Sequence, residues 1–256
     1  MVIIHEILSA SYSDSQNFMT DLGPVAHNAW RLSQGTMDLT RDVAKQHAIE
    51  FSADHIPLRI NLAATALIIV DMQKFFCDPR PGQEPADRAC HQAIGRLSEL
   101  APALRKHSVP VVWVNWGNRL DETNLPPNVR YAFNRGQLSD PKPFLTRDTA
   151  ATEIVSELSA EAGDVHVDKY RLSGFWDTPL DSILRGLRVD TLLFAGVNLD
   201  QCVYHTLADA SFLGYDCILL NDCAATNSPD YCTDATLYNV KLMGFVAEST
   251  AIMARI

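Results

Sequence analysis

The chain has no Cys-x-x-Cys pair, no run of basic residues, no glycine-rich phosphate loop and no long apolar stretch. Each absence removes a class of function. No window approaches the ~18 consecutive apolar residues that a membrane-spanning helix needs. The opening segment MVIIHEILSASYSDSQ lacks the charged start and the apolar core of a signal peptide, which points to the cytosol. Lysine and arginine total 21 against 31 acidic residues, a net charge of -10 without a basic arm, which argues against a nucleic-acid partner. The same acidity works against an anionic substrate unless arginines gather at the site. Neither G-x-G-x-x-G nor G-x-x-x-x-G-K follows any apolar run, which argues against a nucleotide-binding module. The six cysteines (Cys77, Cys90, Cys202, Cys217, Cys223 and Cys232) read as free thiols, most of them small core hydrophobes.

What remains is 256 residues of 47% hydrophobic composition, enough for one sizeable domain with an extension. TALIIVD (65–71) is a short apolar run ending in an acid, the pattern of a buried parallel strand. PVVWVN (110–115), GDVHVDK (163–169), TLLFAG (191–196) and DCILLND (216–222) repeat it, and FVAES closes the series. Helical patterns lie between them in ADRACHQAIGRLSELAPALRKHS, TAATEIVSELS, PLDSILRGL, QCVYHTLADASFLG and DATLYNVKLMG. The alternation predicts an α/β fold, a mostly parallel six-stranded sheet with helices on both faces in a Rossmann-like three-layer arrangement. Residues 61–256 form that domain. Residues 1–60, with one helix predicted in TMDLTRDVAKQHAIEF, form an N-terminal extension packing on the core or on a neighbouring subunit. The stretch from Trp116 to Phe144 is too long for an ordinary connection, so it is either a functional lid or an interface loop.

Sites in open α/β sheets lie beyond the carboxyl ends of the strands. Asp71, Asn115 with Trp116, Lys169 and the Gly196–Cys202 turn arrive there from four strands. A free thiol is only slightly ionised at neutral pH, so a nucleophilic cysteine needs help. An ammonium or a helix start lowers its pKa, a carboxylate can take and return its proton, and backbone N–H groups can hold an oxyanion. His205, three residues after Cys202, offers a Cys–His dyad, but it would point along the helix flank, away from the turn. Gln73 reads equally as a substrate ligand or a loop-fixing residue. Asn115, Asn118 and Arg119 are polar candidates at the mouth, and aromatic residues near the motif ends, among them Phe76, Trp116, Tyr170 and Trp176, supply candidate pocket walls.

TALIIVDMQKFF, DKYRLSGFWDTPLDSILR and LLFAGVNLDQCVYHTLADASFLGYDCILLNDCAAT closely resemble the cysteine hydrolases of the isochorismatase-like superfamily. The resemblance runs from about Thr65 to Ser249, and its closest pattern is the ureidoacrylate amidohydrolase group, with biuret and N-carbamoylsarcosine hydrolases as cousins. It implies that Asp71 is the general base and acid, that Lys169 polarises the thiol, and that Cys202 is the nucleophile. It also implies a cis peptide at Val197–Asn198 and an oxyanion hole made by the N–H groups of Asn198 and Cys202. True isochorismatases lack the cysteine, so Cys202 argues against that branch. Nicotinamidases carry a histidine metal site after the second strand, where this chain reads WVNWGNRLDET without any histidine, so no catalytic metal and no cofactor are expected.

The resemblance thus implies a metal-independent amidohydrolase acting on a small ureido, carbamoyl or amide compound, assembled as a homodimer or homotetramer. A nitrilase-type amidase would use a glutamate and a different cysteine motif. A catalytically silent scaffold or biosynthetic-complex partner is the non-enzymatic alternative.

Overall fold

The computed structural model describes residues 20–23, 25, 28–33, 36–38, 47–54, 56–78, 84–133 and 145–256. The chain divides into two compact units, Met1–Ala44 with Gly186–Arg188, and Lys45–Arg185 with Val189–Ile256. The first contains an antiparallel sheet of β1 (Thr20–Leu22), β2 (Trp30–Ser33) and β3 (Thr36–Asp38). The second begins with a hairpin of β4 (Ala48–Ser52) and β5 (Pro57–Asn61), whose alternating Ile49, Phe51 and Ile60 are buried in the main core. The helix predicted over 36–51 is therefore wrong where residues are described. Its ends are β3 and β4, because Ile49 and Phe51 recur with the period of two that a half-buried strand requires.

The main sheet is parallel, in the order β11-β10-β9-β6-β7-β8, with β6 (Thr65–Val70), β7 (Val111–Trp116), β8 (Val165–Lys169), β9 (Thr191–Val197), β10 (Asp216–Ala225) and β11 (Gly244–Ala247). Every residue of β6 and β9 is buried, so both faces of the sheet are covered. One cover is α2 (Glu84–Lys106), which follows the short α1 (Lys74–Cys77) and buries Ile94, Leu97, Ala101 and Leu104 at helical spacing. The segment after β7 includes α3 (Pro127–Phe133); residues 134–144 of the predicted lid lie outside the described residues. Later come α4 (Leu180–Gly186), α5 (Tyr204–Phe212), α6 (Asp230–Val240) and α7 (Ser249–Met253).

The helix predicted over 149–159 is also absent. Ala150–Thr152 makes a single 3-10 turn boxed by Thr149 and Thr152, and the chain then extends beside the 71–74 loop. Lys74 N donates to Glu153 O, and Val155 N donates to Met72 O. Those backbone bonds replace the intrahelical ones that the periodicity suggested.

Consecutive strands run outward from β6 to β7 and β8, and the chain then crosses back to place β9 on the other side of β6. The order reverses between β6 and β9, and the carboxyl ends of these two strands carry Asp71 and the Gly196–Cys202 turn. Their approach is close. Gly196 has φ +115°, and a Cβ there would stand 2.0 Å from Val70 O. Only glycine fits. Replacing Gly196 by alanine should cost about 3 kcal/mol or more in urea unfolding. Gly95→Ala, on an exposed turn of α2 with open space around its Cα, should add about 0.5–1 kcal/mol instead.

Candidate active site

Lys169, the last residue of β8, is fully buried, and its ammonium is the hub of the site. Nζ lies 2.8 Å from Asp71 Oδ2, 3.2 Å from Cys202 Sγ and 3.1 Å from the carbonyl of Arg171. Three contacts match the three hydrogens of an ammonium. Beneath it, the Trp116 ring centroid is 4.1 Å from Nζ, a cation–π contact in a water-free setting. Asp71 is 0% exposed and Cys202 3%.

Each member is aimed by local structure. Asp71 leaves β6 with φ +51°, a left-handed turn that aspartate tolerates better than most residues. Its N–H donates to Val114 O, and its carbonyl accepts from Gln73 N. Lys169 pairs across the sheet with Trp116, and the residues before them, Asp168 and Asn115, face the opposite side. Cys202 sits in a π-helical turn, Leu199–Val203, that precedes α5; the helix start expected at Gln201 is this wider turn. Asn198 caps it, with its carbonyl accepting from the N–H groups of Gln201 and Val203. The Val197–Asn198 peptide is cis. Thr206 Oγ donates to Cys202 O at 2.6 Å and accepts from Gly174 N at 3.0 Å, tying the turn to the loop after Lys169.

Burial governs the electrostatics. It pushes the Asp71 carboxyl above the usual carboxylate range, against the opposing pull of Lys169. Asp71 meets the ammonium as an ion pair, and among the described residues neither of its oxygens receives a well-angled hydrogen bond, which leaves lone pairs for a proton. Burial also raises the Cys202 thiol, with Lys169 opposing, so the resting thiol is neutral. Burial works against the Lys169 ammonium, but the Asp71 carboxylate and the hydrogen bonds to Asp71 and Cys202 outweigh it and hold the ammonium above the ordinary lysine value. The resting site is thus a carboxylate–ammonium pair beside a protonated thiol that shares the Lys169 ammonium with Asp71.

The other candidates separate. Gln73 is buried with its amide committed to backbone: Nε2 donates to Trp116 O and Thr152 O, and Oε1 accepts from Trp116 N. Those are the bonds of a loop-fixing residue. Trp116 is 1% exposed, with Nε1 donating to the buried Asn118. It walls the charged centre. Phe76 packs on the main core. Asn115, on the opposite strand face, opens onto a separate cleft of about 250 Å³ with Arg147, His166 and Asp168, to which none of Asp71, Lys169 and Cys202 contributes. Tyr170 donates its hydroxyl to Asp177 O, while Trp176 stands 63% exposed in the same loop. Arg119 is exposed and paired with Asp121. His205 is exposed, its Nδ1 2.7 Å from Gln201 O. The Asn198 amide reaches Gln201 Oε1 at 3.4 Å.

Two contributors escaped the sequence reading. Arg171 supplies a carbonyl to Lys169 and joins loops through Asn124 O and Asp177, and Thr206 fixes the cysteine turn. Backbone carbonyls leave no trace in residue types, although a threonine four places after the cysteine is a readable candidate. Among the described residues no three His, Cys, Asp or Glu side chains gather as a metal ion would need.

Lys169→Met strands the Asp71 carboxyl and should cost about 3–5 kcal/mol at neutral pH, as should Asp71→Asn, which strands the ammonium. The double replacement should cost less than the sum by at least about 1 kcal/mol in urea unfolding. Because Lys169 holds the Asp71 carboxyl down against burial, its loss should raise that carboxyl further, so the Lys169→Met deficit should shrink as pH falls and the variant takes up the proton first. Additive losses without pH dependence would mean that the pair is not coupled.

The isochorismatase domain model matches residues 65–251. The ureidoacrylate amidohydrolase RutB of Azorhizobium caulinodans is 32% identical over 196 residues, spanning 72% of this chain and 86% of that protein. Among solved structures, a cysteine hydrolase from Pseudomonas syringae pv. phaseolicola 1448A superposes with a TM-score of 0.66 at 28% identity, covering 77% of this chain and 93% of that one. N-carbamoylsarcosine amidase from Thermoplasma acidophilum gives a TM-score of 0.58 at 28% identity, over 72% of this chain and 96% of that one. With the matched domain spanning the whole parallel sheet and the turn that carries Cys202, the chain belongs to the isochorismatase family of hydrolases.

Proposed function

We propose that this protein is a metal-independent cysteine amidohydrolase that cleaves a C–N bond of a small ureido, carbamoyl or amide compound through an acyl-enzyme on Cys202. The observation that carries the reading is the buried ammonium of Lys169, in contact with both the Asp71 carboxylate and the Cys202 thiol. A cluster of buried titratable groups perturbed by burial and by one another is a physical mark of a candidate functional site. The amidohydrolase and amidase named among the relatives fit the same reaction class.

Asp71 takes the thiol proton as sulfur bonds to the substrate carbonyl carbon, and Lys169 stabilises the developing thiolate. The carbonyl oxygen becomes an oxyanion facing the N–H groups of Asn198 and Cys202. As the C–N bond breaks, Asp71 returns its proton to the leaving nitrogen, and the amine departs. Water then loses a proton to Asp71 and attacks the thioester, and the proton goes back to sulfur. The net change is addition of one water across the C–N bond. Trp176 and the residues after β7 form the mouth, and the enzyme works in the cytosol as a homodimer or homotetramer.

Amine or ammonia release from ureidoacrylate, biuret, N-carbamoyl amino acids, nicotinamide and aliphatic amides, with and without chelator, tests this. Release from the ureido members, indifferent to chelator, should fall at least about a thousand-fold in Cys202→Ala. Retained turnover in that variant would sink the mechanism. The base form of Asp71 is lost as pH falls through its raised pKa, so the acid limb of kcat/KM should lie above the ordinary carboxylate value of about 4. Lys169, raised in its turn, should add no alkaline loss below about pH 10.

A further inference from the structure

We propose that the outer face of α6 is the surface on which two copies of this chain pair, antiparallel and about a two-fold axis. The helix turns Thr236 and Val240 inward. Outward it presents Tyr231 at 71% exposure and Tyr238 at 69%, and Leu242, in the turn that follows, is 74% exposed. With the exposed Ala235 these residues are spaced four, three and four apart, which places them on one stripe. A solvent-facing helix stripe is ordinarily polar, so a run of large apolar side chains there marks a contact surface. The neighbouring α5 packs against α6 and ends in Phe212, 77% exposed, and Leu213, 43% exposed.

The charges select a second copy as the occupant. At about 100° per residue, Asp230, Asp234 and Lys241 all fall on one flank of the stripe, the acids toward the start of the helix and the lysine past its end. In an antiparallel pair like flanks meet, start against end. Centred between Thr236 and Leu237, such a pair sets Tyr231 opposite Leu242 of the second copy. The Tyr238 ring then faces the small Ala235, once on each side of the axis. In the same register Lys241 of one copy falls midway along the axis between Asp230 and Asp234 of the other. Apolar fit and charge fit share one centre. Lys241 contacts Asp54 at 3.1 Å and is still 49% exposed, so it can serve both. An apolar aromatic centre with a charged rim is the usual anatomy of a protein interface. In a chain of net charge -10, local pairing of opposite charges also offsets repulsion between copies.

This pairing does not depend on the chemistry proposed above, and its test reads mass rather than turnover. Sedimentation of the full chain should give an even multiple of the monomer mass. Tyr238→Glu and Leu242→Glu should each weaken the α6 contact at least about 30-fold, halving the mass at micromolar concentration while the thermal midpoint of a dilute sample is kept. Leu242→Glu lies beyond the helix and serves if Tyr238→Glu fails to fold. A zero-length carbodiimide linker on a mixture of isotope-labelled and unlabelled chains should join Lys241 to Asp230 or Asp234 in mixed-isotope peptides. A monomeric wild type, an oligomer unmoved by both glutamates, or cross-links confined to single chains would overturn the proposal.

Discussion

A lysine ammonium without access to water organises this molecule. Desolvating an ammonium and a carboxylate costs several kcal/mol for each ion, and only close, well-placed partners offset it. Lys169 has them in Asp71, the Arg171 carbonyl, the Cys202 sulfur and the Trp116 face. No one segment supplies more than a part. The carboxylate comes from the end of β6, the ring from β7, the ammonium from β8 and the sulfur from beyond β9. The centre exists only when these four strands have come together, so the stability of the sheet and the geometry of the centre are coupled through one charge.

The route of the chain explains how four strand ends converge. The reversal of order between β6 and β9 leaves a crevice at their carboxyl ends. The missing side chain of Gly196 lets β9 approach Val70 closely enough for the following turn to reach Lys169. Strand alternation then sorts side chains by one-residue steps. Trp116 and Lys169 turn to the charged centre, and Asn115 and Asp168 turn to a separate cleft. A slip of one residue in β8 would exchange a lysine for an aspartate and dismantle the site.

Most of this architecture is legible in the residues, because fully buried parallel strands read as apolar runs whose ends are unambiguous. Asp71 stands directly where such a run stops, whereas Lys169 ends the alternating, half-exposed β8 and Cys202 lies five residues past the end of β9. Legibility fails where tertiary pairing overrides local pattern. TAATEIVSELS has helical spacing, yet its backbone is engaged by Met72 and Lys74 from a distant loop. Ile49 and Phe51 alternate over too short a stretch to mark a strand until β5 pairs with them. Side-chain duty is harder still. Asn115 and Trp116 are adjacent at the same strand end, but pleating sends one to a separate cleft and the other beneath an ammonium. The amide of Gln73 is equally suited to substrate and backbone until its three bonds to backbone groups are seen.

The turn that carries Cys202 and α6 are joined by hydrogen bonds and packing. On the approach to α6, Thr226 donates to the Asp200 side chain and Ser228 accepts from the Gln201 side chain, the two residues before Cys202. The inner side of α6 packs on the same π-helical turn. A π turn is rare beside the α-helix and recurs at functional sites. Thr206 and the Gly174 loop brace it from one side, and α6 braces it from the other. A second copy seated on the outer stripe of α6 would restrict that helix and, through Thr226 and Ser228, the backbone that aims the thiol. On this argument assembly and the geometry of Cys202 share one support, with the Asp200–Thr226 hydrogen bond as the link between them.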